Sequence, residues 1–206
     1  MPELSVLAIF IPTFFFISIS PGLCMSLAMT LGMTIGVRKT LWMMLGEIIG
    51  VALVAILAVI GIASMMLQYP KVFLIFKWLG GLYLLYLGIQ LYFTKVQISS
   101  ESHSFSNIPA KHLLISKGFV TAVGNPKGWA FMITLLPPFL DIEKALVPQM
   151  SVLVILIMLS ELVCMLIYAN GGKALSRLLN KGDKAQWINR IGGSLLVFVG
   201  IWLAIA

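Results

Sequence analysis

Residues Gly80-Gly-Leu-Tyr-Leu-Leu-Tyr-Leu-Gly88-Ile-Gln-Leu91 align with Gly192-Gly-Ser-Leu-Leu-Val-Phe-Val-Gly200-Ile-Trp-Leu203, and at this shift of 112 six of the twelve positions are identical. Two further landmarks keep the same order. Pro21 corresponds to Pro126 at a shift of 105, and Glu47 to Glu161 at a shift of 114. The chain therefore reads as two related halves, about 1–94 and 112–206, joined by a loop over 95–111. The apolar runs fit three spans into each half. With an odd number of spans per half, the second copy enters the membrane upside down. Inverted repeats of this kind build secondary transporters, whose sites lie at the repeat interface near the bilayer midplane.

Composition excludes a water-soluble enzyme. Of the 206 residues, 60% are hydrophobic and 10% charged, with a mean hydropathy of +1.05; a soluble domain has about 45–50% apolar and about 25% charged residues. The net charge of +7 comes from basic residues scattered singly between apolar runs. No basic face with interleaved aromatics is formed, which excludes nucleic acid as a partner. Cys24 and Cys164 both sit in apolar stretches and read as small core residues, and two cysteines build neither a disulfide framework nor a metal site. No Lys or Arg precedes the first apolar run. That run is therefore expected to stay as a span, not to be a cleaved signal peptide.

Residues 4–37 contain no charge, and as one helix they would reach about 51 Å, well beyond the hydrocarbon core of about 30 Å. The natural break is Ser20-Pro21-Gly22. Further spans are expected over 40–68 (with Glu47), 73–94, 112–140, 145–170 (with Glu161) and 188–206. The fourth is interrupted by Asn125-Pro126-Lys127, and residues 173–187 read as an interfacial segment. The expected fold is an all-α polytopic membrane protein with a single transmembrane domain over 1–206. Its six helices form two inverted three-helix repeats, with helices 1 and 4 broken. Ten basic residues fall in the odd loops and three (Lys71, Lys77 and Lys144) in the even ones, which places the odd loops in the cytoplasm and both termini outside. The pairs Gly32/Gly36 and Gly46/Gly50 have the small-xxx-small spacing that lets helices approach closely in lipid.

Each break carries a capping residue before a proline. Proline disfavours helical geometry in the residue before it, Ser and Asn are good N-caps, and proline is itself favoured as the first helical residue. Ser20-Pro21 and Asn125-Pro126 thus each end one helix and start another at membrane depth. Such a break presents the positive end of a half-helix dipole, a place for an anion. Glu47 lies eight residues past Lys39, about 12 Å along its helix. Glu161 is twelve residues from Lys173, and Lys127 is ten from Lys117. A charge at such depth costs at least about 2.5–3.5 kcal/mol and is functional by default, the alternative being a structural ion pair of Lys127 with one of the acids. His103 and His112 sit near loop ends and are expected to be solvated. No hydrolytic motif and no phosphate-cradling loop occurs. Transport would be driven by a gradient, without a cofactor.

Taken in order, Ser20-Pro21-Gly22, Gly32-x-x-x-Gly36, Lys77-Trp-Leu-Gly-Gly-Leu-Tyr-Leu-Leu-Tyr-Leu-Gly88, the run from Gly118 to Asn125-Pro126-Lys127, Phe131 and Leu136-Pro137-Pro138-Phe139 resemble the LysE/RhtB family of amino-acid exporters over nearly the whole chain. One departure stands at the first break, where the family usually reads Pro-Gly-Pro-Asn and this chain reads Pro21-Gly22-Leu23-Cys24. The resemblance implies efflux of amino acids or related metabolites from a bacterial cytoplasm in exchange for protons, across the inner membrane. An acid in the second span is familiar in that family, so Glu47 carries over, while Glu161 rests on the repeat. The expected substrate site comprises Ser20, Pro21, Gly22, Glu47, Asn125, Pro126, Lys127, Gly128 and Glu161. A zwitterion's carboxylate would meet the half-helix N-termini at Gly22 and Gly128, with Lys127. Its ammonium would pair with Glu47 or Glu161, the proton-coupling candidates. A homodimer is compatible with this reading. The alternatives are a divalent cation exporter and a non-transporting membrane scaffold subunit.

Overall fold

The computed structural model describes residues 4–68, 70–93, 109–141, 144–180 and 182–205. Among these the chain folds into helices α1 (Leu4–Ile19), α2 (Leu23–Ile35), α3 (Val37–Gln68), α4 (Pro70–Phe93), α5 (Lys111–Val123), α6 (Pro126–Leu135), α7 (Leu146–Asn180) and α8 (Gly182–Ile205), with one 3-10 turn at Pro137–Phe139. By length and composition, α3 over Val37–Gly61 and α7 over Leu146–Gly172 can each cross a membrane. Helices α1 and α2, bent by 58° at their junction, pass the same test together. The protein is all-helical, with apolar helices of membrane-spanning length. Most of the expected 95–111 loop, with His103, lies outside the described residues.

Both expected breaks are present. The uncharged run 4–37 is interrupted between Ile19 and Leu23, and the fourth span between Val123 and Pro126. Residues 173–180 continue α7 as helix and α8 begins at Gly182, while the stretch of α7 able to cross a membrane ends at Gly172. Gly172 serves a close approach, since a Cβ there would run into the Met33 side chain of α2. One expectation needs correction. Gly36 is not a packing glycine. Nothing lies within 4 Å of its Cβ position, and its φ of +83° makes it the turn between α2 and α3, a conformation that a residue without a Cβ adopts at no steric cost.

Several of the helical glycines act as contact surfaces. A Cβ on Gly32 would collide with the Ala169 backbone, one on Gly46 with Ile115, and one on Gly118 with Met43 and the Glu47 amide. Backbone therefore lies directly on backbone between α2 and α7 and between α3 and α5, as expected where lipid supplies no hydrophobic push. In the two aligned glycine stretches, a Cβ on Gly88 would lie 2.7 Å from the Gly193 carbonyl oxygen and one on Gly200 2.9 Å from that of Gly81. Gly81 thus meets Gly200 and Gly88 meets Gly193, so α4 and α8 pack antiparallel. Several of the remaining contacts come in matched pairs, α3–α5 with α1–α7, α2–α7 with α3–α6, and α3–α4 with α7–α8, whereas α2–α3, α1–α8 and α4–α6 have no counterpart of similar extent among the described residues.

Two apolar clusters fill the interior. One gathers Phe10 and Phe14 of α1, Val51 and Val54 of α3, Leu135 of α6, Phe139, and Leu153 and Ile157 of α7. The other is rich in methionine: Met25 and Met29 of α2, Met43 and Met44 of α3, Leu114 of α5, and Cys164 and Met165 of α7. Glu47 lies on α3 at the seam between them, and Glu161 lies at the same seam on α7. In the first turn of α7, the buried Gln149 holds the preceding connection by donating to the Asp141 carbonyl (2.8 Å) and accepting from the Asp141 amide (2.9 Å).

Close backbone contact makes a sharp prediction. Gly118→Ala forces a methyl group into the α3 backbone and is expected to lower stability by about 1–3 kcal/mol, the usual range for overpacking. Gly61→Ala, at a helical position with nothing within 4 Å, is expected to leave stability unchanged or raise it by up to about 1 kcal/mol. Thermal unfolding of the two purified variants in detergent compares them directly. Equal midpoints would remove the close-packing account of α3 and α5.

Candidate functional site

The two breaks open onto one cavity. Its walls are Phe14, Ile17 and Ser18 of α1, the segment 22–25, Glu47, Val51 and Val54 of α3, Ala122 of α5, Asn125, and Lys127, Gly128, Phe131 and Met132 of α6, with Glu161 of α7. About 50 Å³ is open to the centre of a water molecule, several times the roughly 10–15 Å³ that one water requires.

The breaks are built differently. At the second, Asn125 is the N-cap of α6: its Oδ1 accepts from the Lys127 amide at 3.1 Å, and Pro126 opens the helix. That is the geometry its sequence predicts. At the first, Ser20 was expected to cap α2 and does not. Its hydroxyl donates backwards to the Ile17 carbonyl at 2.7 Å, closing α1, and the N-cap is Gly22, in extended conformation with no side-chain cap. The first turn of α2 keeps the amides that every helix start leaves without an intrahelical partner.

Helix interruption also strands carbonyls, and two aromatic side chains collect them. The Tyr168 hydroxyl donates to the Ile19 carbonyl at 2.8 Å, tying α7 to the end of α1. The Trp129 indole N–H donates to the Val123 carbonyl at 2.8 Å, folding α6 back on the end of α5. Broken helices persist at membrane depth where neighbours re-satisfy the backbone in this way.

The ionisable groups hold distinct positions. Lys127 Nζ donates to Ser20 Oγ at 2.6 Å and lies 5.5 Å above the Phe131 ring centre. Ser18 Oγ donates to Glu161 Oε1 at 2.9 Å. Glu47 is 1% exposed, and neither of its carboxyl oxygens has a hydrogen-bond partner among the described residues. The partner of Lys127 is thus Ser20, not an acid; the ion pair of Lys144 with Asp141, at 2.9 Å, lies away from the cavity in the connection before α7.

Of the residues expected from sequence, Gly22, Glu47, Asn125, Lys127, Gly128 and Glu161 line the cavity. Ser20 reaches it through Lys127. Pro21 and Pro126 shape the two breaks without lining it. His112 is exposed at the start of α5. Three of the wall residues that had no functional reading stand out. Ser18, which holds Glu161, is a small polar residue within an apolar run two positions before the break, and that placement is the only signal it offered. Phe131 was noted only as part of a resemblance. Cys24, read as core, is buried but faces the cavity, where the Asn125 amide approaches its sulfur at 3.8 Å. Among the described residues no group of three or more His, Cys, Asp or Glu is placed to hold a metal ion.

Residues 15–206 match the family described as LysE type translocator. The chain is 28% identical over 189 residues to an uncharacterized membrane protein of Vibrio cholerae, covering 92% of this chain and 91% of that one. It is 25% identical over 190 residues to the homoserine/homoserine lactone efflux protein of Salmonella typhimurium, with the same shares covered. A leucine efflux protein of an Enterobacter species is 29% identical over 129 residues, 63% of this chain and 61% of that protein. No solved structure matches.

The aromatic ties can be tested without touching the cavity wall. Tyr168→Phe leaves the Ile19 carbonyl without its donor and is expected to cost about 0.5–1.5 kcal/mol of stability, the typical net value of one hydrogen bond. Thermal unfolding in detergent reads it, and an unchanged midpoint would show that the carbonyl finds another partner.

Proposed function

The chain belongs to the LysE-type translocator family, and from that premise we propose that it is a secondary active exporter of amino acids or related small zwitterionic metabolites, exchanged for protons across the bacterial inner membrane. The observation that carries this reading is one cavity with a lysine and two carboxylates at the junction of two interrupted helices. A zwitterion needs both signs of charge within a few ångströms, and water must otherwise be kept out. Its carboxylate is served by Lys127 together with the uncapped first turn of α2, whose amides and dipole favour an anion. The Asn125 side chain already occupies an amide of α6, so α6 contributes less than its twin. The ammonium is served by a carboxylate.

The architecture that fits this activity is six spans in two inverted repeats, α1–α2, α3 and α4 followed by α5–α6, α7 and α8. The matched helix contacts support it, and so does the antiparallel pairing of Gly81 with Gly200 and Gly88 with Gly193. An axis that exchanges two antiparallel helices lies perpendicular to both, and so in the plane of the membrane, as in inverted-repeat transporters. The charge bias of the loops puts both termini outside. A divalent cation exporter would call for a ligand cluster, which the described residues do not form. A scaffold subunit has no use for a cavity with opposed charges.

Two measurements test the proposal. In proteoliposomes loaded with unlabelled amino acids, the purified chain is expected to accumulate external labelled amino acid by counterflow, and an imposed pH gradient is expected to drive net efflux that a protonophore abolishes. No counterflow with any amino acid overturns the exporter reading; efflux indifferent to the pH gradient overturns proton exchange alone. For orientation, cysteines introduced in place of the exposed Lys39 and Lys144 are expected to react with an impermeant maleimide from the cytoplasmic side and the outer side respectively. The reverse pattern inverts the topology.

A further inference from the structure

Resting on that exporter reading, we infer that the substrate is a primary amine carrying a single cation and an uncharged, apolar side chain, and that Glu47 is the acid that trades its proton for the substrate's ammonium, while Glu161 stays fixed. The three ionisable side chains of the cavity differ in what already holds them. Lys127 is engaged by Ser20 at 2.6 Å and Glu161 by Ser18 at 2.9 Å. Glu47 is 1% exposed and both its oxygens are without a partner among the described residues. An ionised carboxylate in that setting has lost its water and has only the weak thiol donor of Cys24 beside it, so either a proton or a cation must neutralise it. Of the cavity's two acids, Glu47 is therefore the one placed to take a substrate's cation.

An alkylammonium brings three N–H donors to a carboxylate with two bare oxygens. On the cytoplasmic side the Glu47 O–H bond breaks, its proton passes to water and the ammonium takes its place. On the outer side a proton returns to the carboxylate, the O–H bond reforms and the ammonium is released. One substrate leaves for each proton that enters. Glu161, bonded to Ser18, would have to give up that bond first and is the poorer exchanger. It serves as a standing countercharge in the same cavity as Lys127.

The apolar part of the wall sets the side-chain class. Phe14, Ile17, Val51, Val54, Phe131 and Met132 are all apolar. Glu47, Val51 and Val54 share one face of α3, at the i, i+4, i+7 positions, so an ammonium at Glu47 has its aliphatic neighbours next to it. A dibasic amino acid would bring a second ammonium with no second unengaged carboxylate to meet it, and burying it unpaired is costly.

The test uses the full chain in proteoliposomes with labelled leucine as the probe. Unlabelled leucine is expected to suppress counterflow. Lysine, with a second ammonium, and N-acetyl-leucine, with none, are each expected to be at least tenfold weaker competitors. Glu47→Gln is expected to abolish leucine efflux driven by a pH gradient, and Glu47→Asp to retain it. Glu161→Gln is expected to retain the pH dependence at a reduced rate. Lysine or N-acetyl-leucine competing as well as leucine overturns the substrate class. Loss of pH-driven efflux in Glu161→Gln but not in Glu47→Gln overturns the assignment of the acids. If Glu47→Gln does not insert, the comparison of Glu47→Asp with Glu161→Gln decides in the same way. Counterflow of amino acids with either inverted result leaves the exporter reading standing, whereas no counterflow by the unaltered chain removes both.

Discussion

A helix interrupted in apolar surroundings leaves amides and carbonyls that lipid cannot satisfy, and the way this chain meets that demand organises its interior. The end of α1 is closed by Ser20 on the Ile17 carbonyl and tied to α7 through Tyr168 and Ile19. The end of α5 is tied to α6 through Trp129, and α6 is started by Asn125. The Tyr168 bond joins elements distant in sequence, whereas those of Ser20, Asn125 and Trp129 close each break locally. Together they bring Lys127 of α6 onto Ser20 of the first break. The charged cavity is thus a product of the interruptions, because the segments that repair the backbone are the segments that carry its polar side chains.

The two long helices provide the complementary half. Both α3 and α7 carry one glutamate at the seam between an aromatic and aliphatic cluster and a methionine-rich one. Bare glycine contacts then draw α5 against α3. Gly46, Gly50 and Gly118 leave no room for a side chain between the two backbones, and the chain leaving α5 delivers Asn125 and Lys127 to the cavity that Glu47 also lines. Changing that spacing by one methyl group would move the second break relative to the acid. Stability and the geometry of the cavity therefore rest on the same contacts. This explains why so many glycines sit in helices, where each weakens the isolated helix by about 1 kcal/mol relative to alanine.

The residues themselves determined a good deal. Hydropathy marked the apolar segments, proline after a capping residue marked both helix breaks, and charge in an otherwise uncharged setting marked Glu47, Lys127 and Glu161. These features are local: the cost of a backbone break or a buried charge is set by the residue and its immediate medium, so they can be read along the chain. Helix bounds were less legible than spans: α7 runs on as helix to Asn180, past Gly172, whose missing side chain makes room for Met33.

Only the tertiary structure decided which donor reaches which acceptor. Ser20 looks like a cap in sequence and instead holds Lys127; Ser18 looks like nothing and holds Glu161; Cys24 looks like core and faces the cavity. The two glutamates are equivalent by repeat position and unequal in three dimensions, one supplied with a hydroxyl and one left bare. No local rule distinguishes them. A hydrogen bond requires its partners within about 3 Å, and the partners of these groups lie on other helices, more than a hundred residues away for Ser18 with Glu161 and for Ser20 with Lys127. The sequence determined that charge would be buried and helices broken; the packing of backbone on backbone decided which of those charges was left without a partner.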